Sequence, residues 1–336
     1  MPRKSQMSWA VLFLALVLVM VAAAGCGGSS SSTSGSSNGT AATADLTADQ
    51  IVQQSAEKMK DVKSATMTAD VALAIQGDPS KMTDPTQKAM LSQDVRLRID
   101  GKSQTDPMAA DMKVSAGLAG QNIDLGIIAQ GDTAWVEYQG KYYKVDQKNT
   151  KSVTKVTQSG LSPMDQLKKQ GLDIGKWGVK YELVGTEDMG GTKVYHVKAT
   201  VDTKAMAADL MKQMSNPDLG KQLGDPAAAK QLQQGLAQNK AQIDELSNSV
   251  KDMAGDYWYV VDTLYLTKAS WKVDLDTKGQ KGMQGVDGMT LKADLTMSGF
   301  NEPVTVSPPA KALPFKKLMN QMLGGMTGGS ASGTGL

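Results

Sequence analysis

Cysteine and histidine each occur once in 336 residues. A single Cys excludes an intramolecular disulfide and a Cys-rich zinc site. A single His excludes a multi-His metal centre and leaves one candidate for a His-activated nucleophile. Aromatic residues make up only 5%, and Phe occurs three times. Charge of one sign is also lacking. There are 36 Lys+Arg against 34 Asp+Glu, a net charge of +2 with no long basic run, so the footprint of a nucleic-acid binder is missing. No GxSxG elbow, P-loop or HExxH helix is found, and no spacing suggests a Ca²⁺ loop. The reading is therefore a chain without catalytic residues, without a cofactor and without a metal. Plentiful instead are Gly (34) and Met (21) in a chain that is 40% hydrophobic. The length allows two or three domains, or one large β-rich domain with extras.

The N-terminus carries an export signal. Arg3 and Lys4 precede the uncharged run WAVLFLALVLVMVAAA, Trp9 to Ala24, followed by Gly25 and Cys26. A positive start, a 16-residue apolar stretch and small residues at its end define a secretory signal rather than a membrane span. The AAGC ending resembles the lipobox of bacterial lipoproteins, with Ala23 where Leu is usual; the alternative is an ordinary signal peptide with a chance Cys. On the lipobox reading residues 1–25 are removed and Cys26 is lipidated. The 34 remaining basic side chains (36 less Arg3 and Lys4) then balance 34 acidic ones. Net charge would not recruit such a protein to an anionic surface, so an acyl anchor of palmitate type would hold it at the extracytoplasmic face of the cell membrane. Residues 26–46 comprise the lipidated Cys and a linker, GGSSSSTSGSSN at its start, with nothing to bury.

The folded region is expected over 47–323. Thr47 and Gln50 form a capping box, and Ile51, Val52, Ala56, Met59 and Val62 make a helical stripe. The period then drops to two. Ala65, Met67, Ala69, Val71, Leu73 and Ile75 alternate with polar residues. So do Val95, Leu97 and Ile99; Met108 to Val114; Ile123, Leu125 and Ile127; Val179, Tyr181 and Leu183; Tyr195, Val197, Ala199 and Val201; Trp271, Val273 and Leu275; and Leu291 to Met297. Gly131 to Asp146 reads as a hairpin turning at Gln139-Gly140. About eleven strands with one apolar face make an antiparallel sheet. Helical segments interrupt it at Leu161–Gly171 and, as an insertion, over 203–255, where Leu232, Leu236, Ile243, Leu246 and Val250 share a face. A short amphipathic piece, Phe315–Leu323, precedes a Gly-rich tail, 324–336, expected to be disordered.

The predicted class is α+β: a curled antiparallel half-barrel sheet with helices covering its concave face. Such a sheet encloses either a ligand cavity or a solid Met-rich core. The lining would be Met67, Val71, Leu73, Val95, Leu97, Ile99, Ile123, Leu125, Val197, Val273, Leu291 and Leu295. Small and flexible side chains of this kind suit long acyl chains. His196 falls on the opposite face beside Lys198 and Thr200. It reads as a surface residue whose loss is expected to be silent, not as a catalytic base. Trp135, Trp177, Trp258 and Trp271 either line a sugar site or pack between sheet and helices.

A family resemblance runs through several stretches. They are SAEKMKDVKSATMTADV from Ser55, the Gly131–Asp146 hairpin, GTKVYHVKATVD from Gly191, YWYVVDTLYLTKASWKVDL from Tyr257 and TMSGFNEPVTVSPP from Thr296. In this order they resemble the actinobacterial LppX/LprG-type lipoproteins and, through them, the LolA/LolB-like superfamily. The resemblance covers Asp49 to about Pro309. It implies a hydrophobic cavity holding a lipid or glycolipid, carried or presented without covalent chemistry, with an envelope transport protein as a further partner and no nucleic acid. The alternative is a non-carrier sensor or scaffold lipoprotein that uses the same fold to bind an envelope protein. The insertion 203–255 is longer and more polar than the resemblance implies, which leaves the size and mouth of a cavity open.

Overall fold

The computed structural model describes residues 46–82, 88, 91, 95–118, 121–145, 174–214, 249–279 and 285–327. The expected helix at Leu161–Gly171, the signal, Cys26, most of the linker, most of the insertion and residues 328–336 lie outside the described residues.

The capping box holds. Thr47 Oγ1 accepts from the Gln50 amide and Gln50 Oε1 accepts from the Thr47 amide, opening helix α1, Ala48–Lys60. It buries Ala48, Ile51, Val52 and Ser55. Among the described residues, twelve strands then form one sheet. They are β1 (Ser64–Gly77), β2 (Val95–Gln104), β3 (Ala109–Leu118), β4 (Gln121–Gln130), β5 (Thr133–Tyr138), β6 (Lys141–Lys144), β7 (Lys180–Met189), β8 (Thr192–Thr200), β9 (Val250–Val260), β10 (Leu266–Asp276), β11 (Val286–Ser298) and β12 (Leu313–Pro314). The order is β12-β6-β5-β4-β3-β2-β1-β11-β10-β9-β8-β7. Neighbours are antiparallel except for the two-residue parallel pair of β12 with β6. The β5–β6 turn has Gln139 at φ 51° and Gly140 at φ 72°, the double left-handed geometry of a type I′ hairpin. The sheet is a curled half-barrel, so the α+β class stands, with helices α1, α2 (Thr203–Met214) and α3 (Phe315–Thr327) against one face.

One element differs from the sequence reading. Val250–Gly255 belongs to a strand, not to the end of a helical insertion. Val250 does continue the helical spacing from Leu246. The burial along β9 nevertheless alternates, with Met253, Gly255, Tyr257 and Tyr259 buried. Trp271 on β10 pairs with Gly255 and lays its indole where a side chain would stand: a Cβ on Gly255 would come within 2.6 Å of the ring. The absent side chain hides the alternation from a hydrophobicity count.

α2 is fixed at its start. Asp202 Oδ1 accepts from the Lys204 and Ala205 amides, both at 3.0 Å. Trp177, only 1% exposed, donates from Nε1 to the buried Asp209 of α2 at 3.1 Å. α3 runs on to Thr327, past its expected end at Leu323.

Candidate functional site

Strand register brings all twelve lining candidates to one face. One row crosses the sheet as Leu125, Val114, Ile99, Ala69, Leu295, Ala269, Tyr257 and Val197. The next reads Ile123, Ala116, Leu97, Val71, Ala293, Trp271 and Gly255. A third holds Val95, Leu73, Leu291 and Val273. Met67 lies in a fourth, opposite Met297 and Gly101. Since side chains alternate along each strand, these rows share one surface.

That surface is not uniform. Under α1, Trp177 and Met206 it is packed solid: Val71, Leu73, Val197, Val273 and Leu291 are buried there, and Leu295 packs against them. Under α3 a second, smaller cluster holds Ala110, Met112, Ala129, Ala134, Val136, Tyr143 and Leu318, with Met67, Ile99 and Leu125 at its border. Between the two runs a strip across β2–β4 whose apolar side chains are half-buried: Val95, Leu97, Ile99, Val114 and Leu125. At its end Ile123 is 43% exposed and belongs to neither cluster. With strands about 4.8 Å apart, the strip is roughly 10 Å wide. Leu183, read as inward, is 38% exposed on the edge strand β7, where a register shift between Leu183 and Gly185 breaks the pattern.

Over residues 315–321 of α3, Leu318 is buried and Phe315 half-buried; burying one Leu is worth about 2–3 kcal/mol.

A separate polar pocket of about 400 Å³ opens at the end of the sheet, lined by Asp61, Lys63, Ser64, Gln104, Asp106, Asn301 and Pro303. It contains none of the apolar candidates.

The opposite face is polar and ion-paired. Arg98 Nε meets Asp100 at 2.6 Å, and Lys272 meets Asp274 at 2.6 Å. Donation by Arg98 holds the Asp100 carboxyl below the ordinary carboxylate range, and Lys272 does the same for Asp274.

His196 is the site that sequence reading missed. Far from standing free on the surface, its side chain is 15% exposed, with Nδ1 at 2.7 Å from Glu187 Oε1 and Nε2 at 2.8 Å from Asp256 Oδ1. Its ring stacks on Trp258 at 4.7 Å, and Lys268 Nζ sits 4.6 Å from that indole's centroid. Trp258 Nε1 donates to Glu187 Oε2 at 3.0 Å. That bond first, and the His196 contact second, hold the Glu187 carboxyl below its usual range. The cluster ties β7, β8, β9 and β10 together on the outer face. Its signal in the sequence was Glu187, His196, Asp256 and Trp258 at polar positions of neighbouring strands, but only the register joins them. His196→Ala is therefore expected to lower the melting temperature by a few degrees, not to be silent. Melting curves identical to the parent's would show that the cluster holds nothing. The tryptophans divide as well. Trp177 and Trp271 pack in the core, whereas Trp258 lies on the outer face against His196 and Lys268 rather than between sheet and helices.

Among the described residues no cluster of three or more His, Cys, Asp or Glu is arranged to hold a metal ion, and no helix is long and apolar enough to cross a membrane.

Residues 47–177 match a family of unknown function, DUF6612. No curated protein matches. Among solved structures the chain is similar to the lipoprotein LppX of Mycobacterium tuberculosis, at 17% identity over 76% of this chain and 96% of that one, with a TM-score of 0.34. It is similar to LprF from Mycobacterium bovis at 15% identity, covering 79% and 97%, with a TM-score of 0.37. A DUF1329 family protein from Desulfovibrio piger follows at 12% identity, covering 76% and 92%, with a TM-score of 0.19. None of these scores reaches 0.5, so a functional reading rests on the chain's own residues.

Proposed function

We propose that this chain is an extracytoplasmic lipoprotein, anchored through Cys26, that binds a lipid or glycolipid on the apolar face of its sheet and carries or presents it. One observation supports this above the others: a half-buried apolar strip on β2–β4, on the same face as two packed clusters and continuous with both. A face that served only as core would have no reason to stay half-covered between two well-packed regions. Each buried CH₂ is worth about 0.8 kcal/mol, so a sixteen-carbon chain gains on the order of 12 kcal/mol over water. A bilayer offers almost the same, so cargo exchanges near equilibrium and no covalent step is needed. The tether from Cys26 lets the domain stand off the membrane while it does so.

Two tryptophan substitutions in cross-strand neighbours test the reading. Val71 is 6% exposed inside the packed cluster, and its partner Leu97 is half-buried in the strip. Val71→Trp should overpack the core and cost about 1–3 kcal/mol or more. Leu97→Trp should fill the cargo's place, lowering bound lipid at least fivefold with near-native melting. Equal destabilisation by both, with lipid content unmoved, would contradict a ligand strip and leave a scaffold that binds protein partners.

A further inference from the structure

The parallel pairing of β12 with β6 gathers lysines from two distant stretches of chain at one edge of the sheet, with Leu313 opposite Tyr143 and Pro314 opposite Lys144. β6 brings Lys141 and Lys144. The approach to α3 and its first turn bring Lys311, Lys316 and Lys317. All five are exposed, and none makes an ion pair among the described residues. No Asp or Glu occurs in β6 or in residues 303–327. The β5–β6 hairpin holds one acidic residue, Glu137, opposite Tyr142. Its carboxylate lies over Gly126 of β4, where a Cβ would come within 2.9 Å of Oε2, so it points away from β6. Asp132, in the turn before β5, is the next acidic residue.

Apolar side chains stand among these charges. Leu313 is 37% and Met319 42% exposed. With 3.6 residues per turn, Met319 and Lys316 lie on one flank of the buried Leu318 and Lys317 on the other. Trp135, half-buried, is the cross-strand partner of Lys144 and faces outward, since its neighbours Ala134 and Val136 are buried. Lysines interleaved with Trp, Leu and Met match a lipid headgroup layer, which is anionic at its surface and apolar beneath.

We propose that this edge, formed by β6, β12 and the first turns of α3, is a contact surface for an anionic bilayer. The lysines meet lipid phosphates, and Leu313 and Met319 enter the headgroup layer. Charge over the whole chain nearly balances, so the contact is reversible and screened by salt. It orients a domain that an acyl group already tethers and does not retain a free one. The inference rests on the envelope location in the proposed function and not on the cargo.

The test uses the mature chain without its acyl group, sedimented with vesicles of phosphatidylcholine alone or mixed with phosphatidylglycerol. The parent should bind the mixed vesicles at least tenfold more tightly than the neutral ones and lose that binding as salt rises. Joint Lys316→Gln and Lys317→Gln should cost at least tenfold, since each lysine at such a surface is worth about fivefold. Joint Lys193→Gln and Lys292→Gln, the same charge change at exposed positions of β8 and β11, should cost less than twofold. Joint Leu313→Ser and Met319→Ser should cost at least threefold at unchanged charge. All six positions are exposed, so near-native melting is expected of every variant. Equal losses from the two lysine pairs would reduce the effect to net charge and overturn the surface. Loss with Lys316→Gln and Lys317→Gln but none with Leu313→Ser and Met319→Ser would overturn the bilayer as occupant in favour of an acidic protein. A parent that binds neither vesicle overturns the surface and leaves the Cys26 anchor untouched, because no acyl group takes part.

Discussion

Gly255→Val is expected to be strongly destabilising. Gly255 faces Trp271 across the β9–β10 ladder, and any Cβ there would stand 2.6 Å from indole Cε2, 2.8 Å from Cδ2 and 2.9 Å from Cζ2. The ring has nowhere to retreat. Trp271 is 4% exposed, meets Tyr257 edge-on at 5.6 Å, and adjoins Ala293 on the other side. Inserting a β-branched side chain must therefore displace the indole from the core or bend the strand, at about 3 kcal/mol or more. For a domain of this size that lowers the melting temperature by roughly 5–10 °C. The check is thermal unfolding by circular dichroism. A shift of less than a degree would mean that Trp271 does not occupy this place.

Cys26→Ser should have an all-or-none effect on location. An acyl anchor needs the thiol, and on the proposal that residues 1–25 are removed, 34 basic residues balance 34 acidic ones and nothing else in the charge balance holds the chain to a membrane. The variant is expected as uncleaved precursor or as released protein, with no acylated form. Fractionation with mass spectrometry of the N-terminal peptide reads the outcome. Acylated, membrane-retained Cys26→Ser protein would remove the anchor from the account.

Much of this architecture is legible in the residue pattern, and the exceptions have physical causes. Alternation alone puts Met67, Val71, Leu97, Leu125, Val273 and Leu291 on one face, and the register agrees for each. A period of two carries that information directly, since each step along a strand inverts the side chain. What alternation cannot tell is how deeply each position is covered. Val71 and Leu97 are cross-strand partners with the same apolar character, yet one is buried and the other half-buried. Strand β9 is obscured because Gly255 leaves a gap in the alternating signal while Val250 fits the preceding helical spacing. The His196 cluster is obscured for another reason. Its members lie 9 and 60 residues from His196 in sequence and become neighbours only through antiparallel pairing.

The central claim, that the apolar face holds lipid, is tested most directly by extracting the purified domain and weighing what comes off. Protein starting at Ala41, free of anchor and signal, is prepared from a host membrane environment, washed of detergent, and examined by native mass spectrometry and by lipid analysis of the extract. The account predicts acyl-chain lipid bound at near one molecule per chain, and a lower occupancy in Leu97→Trp prepared alongside. Folded parent protein that carries no lipid, and takes none up when offered vesicles, would contradict it.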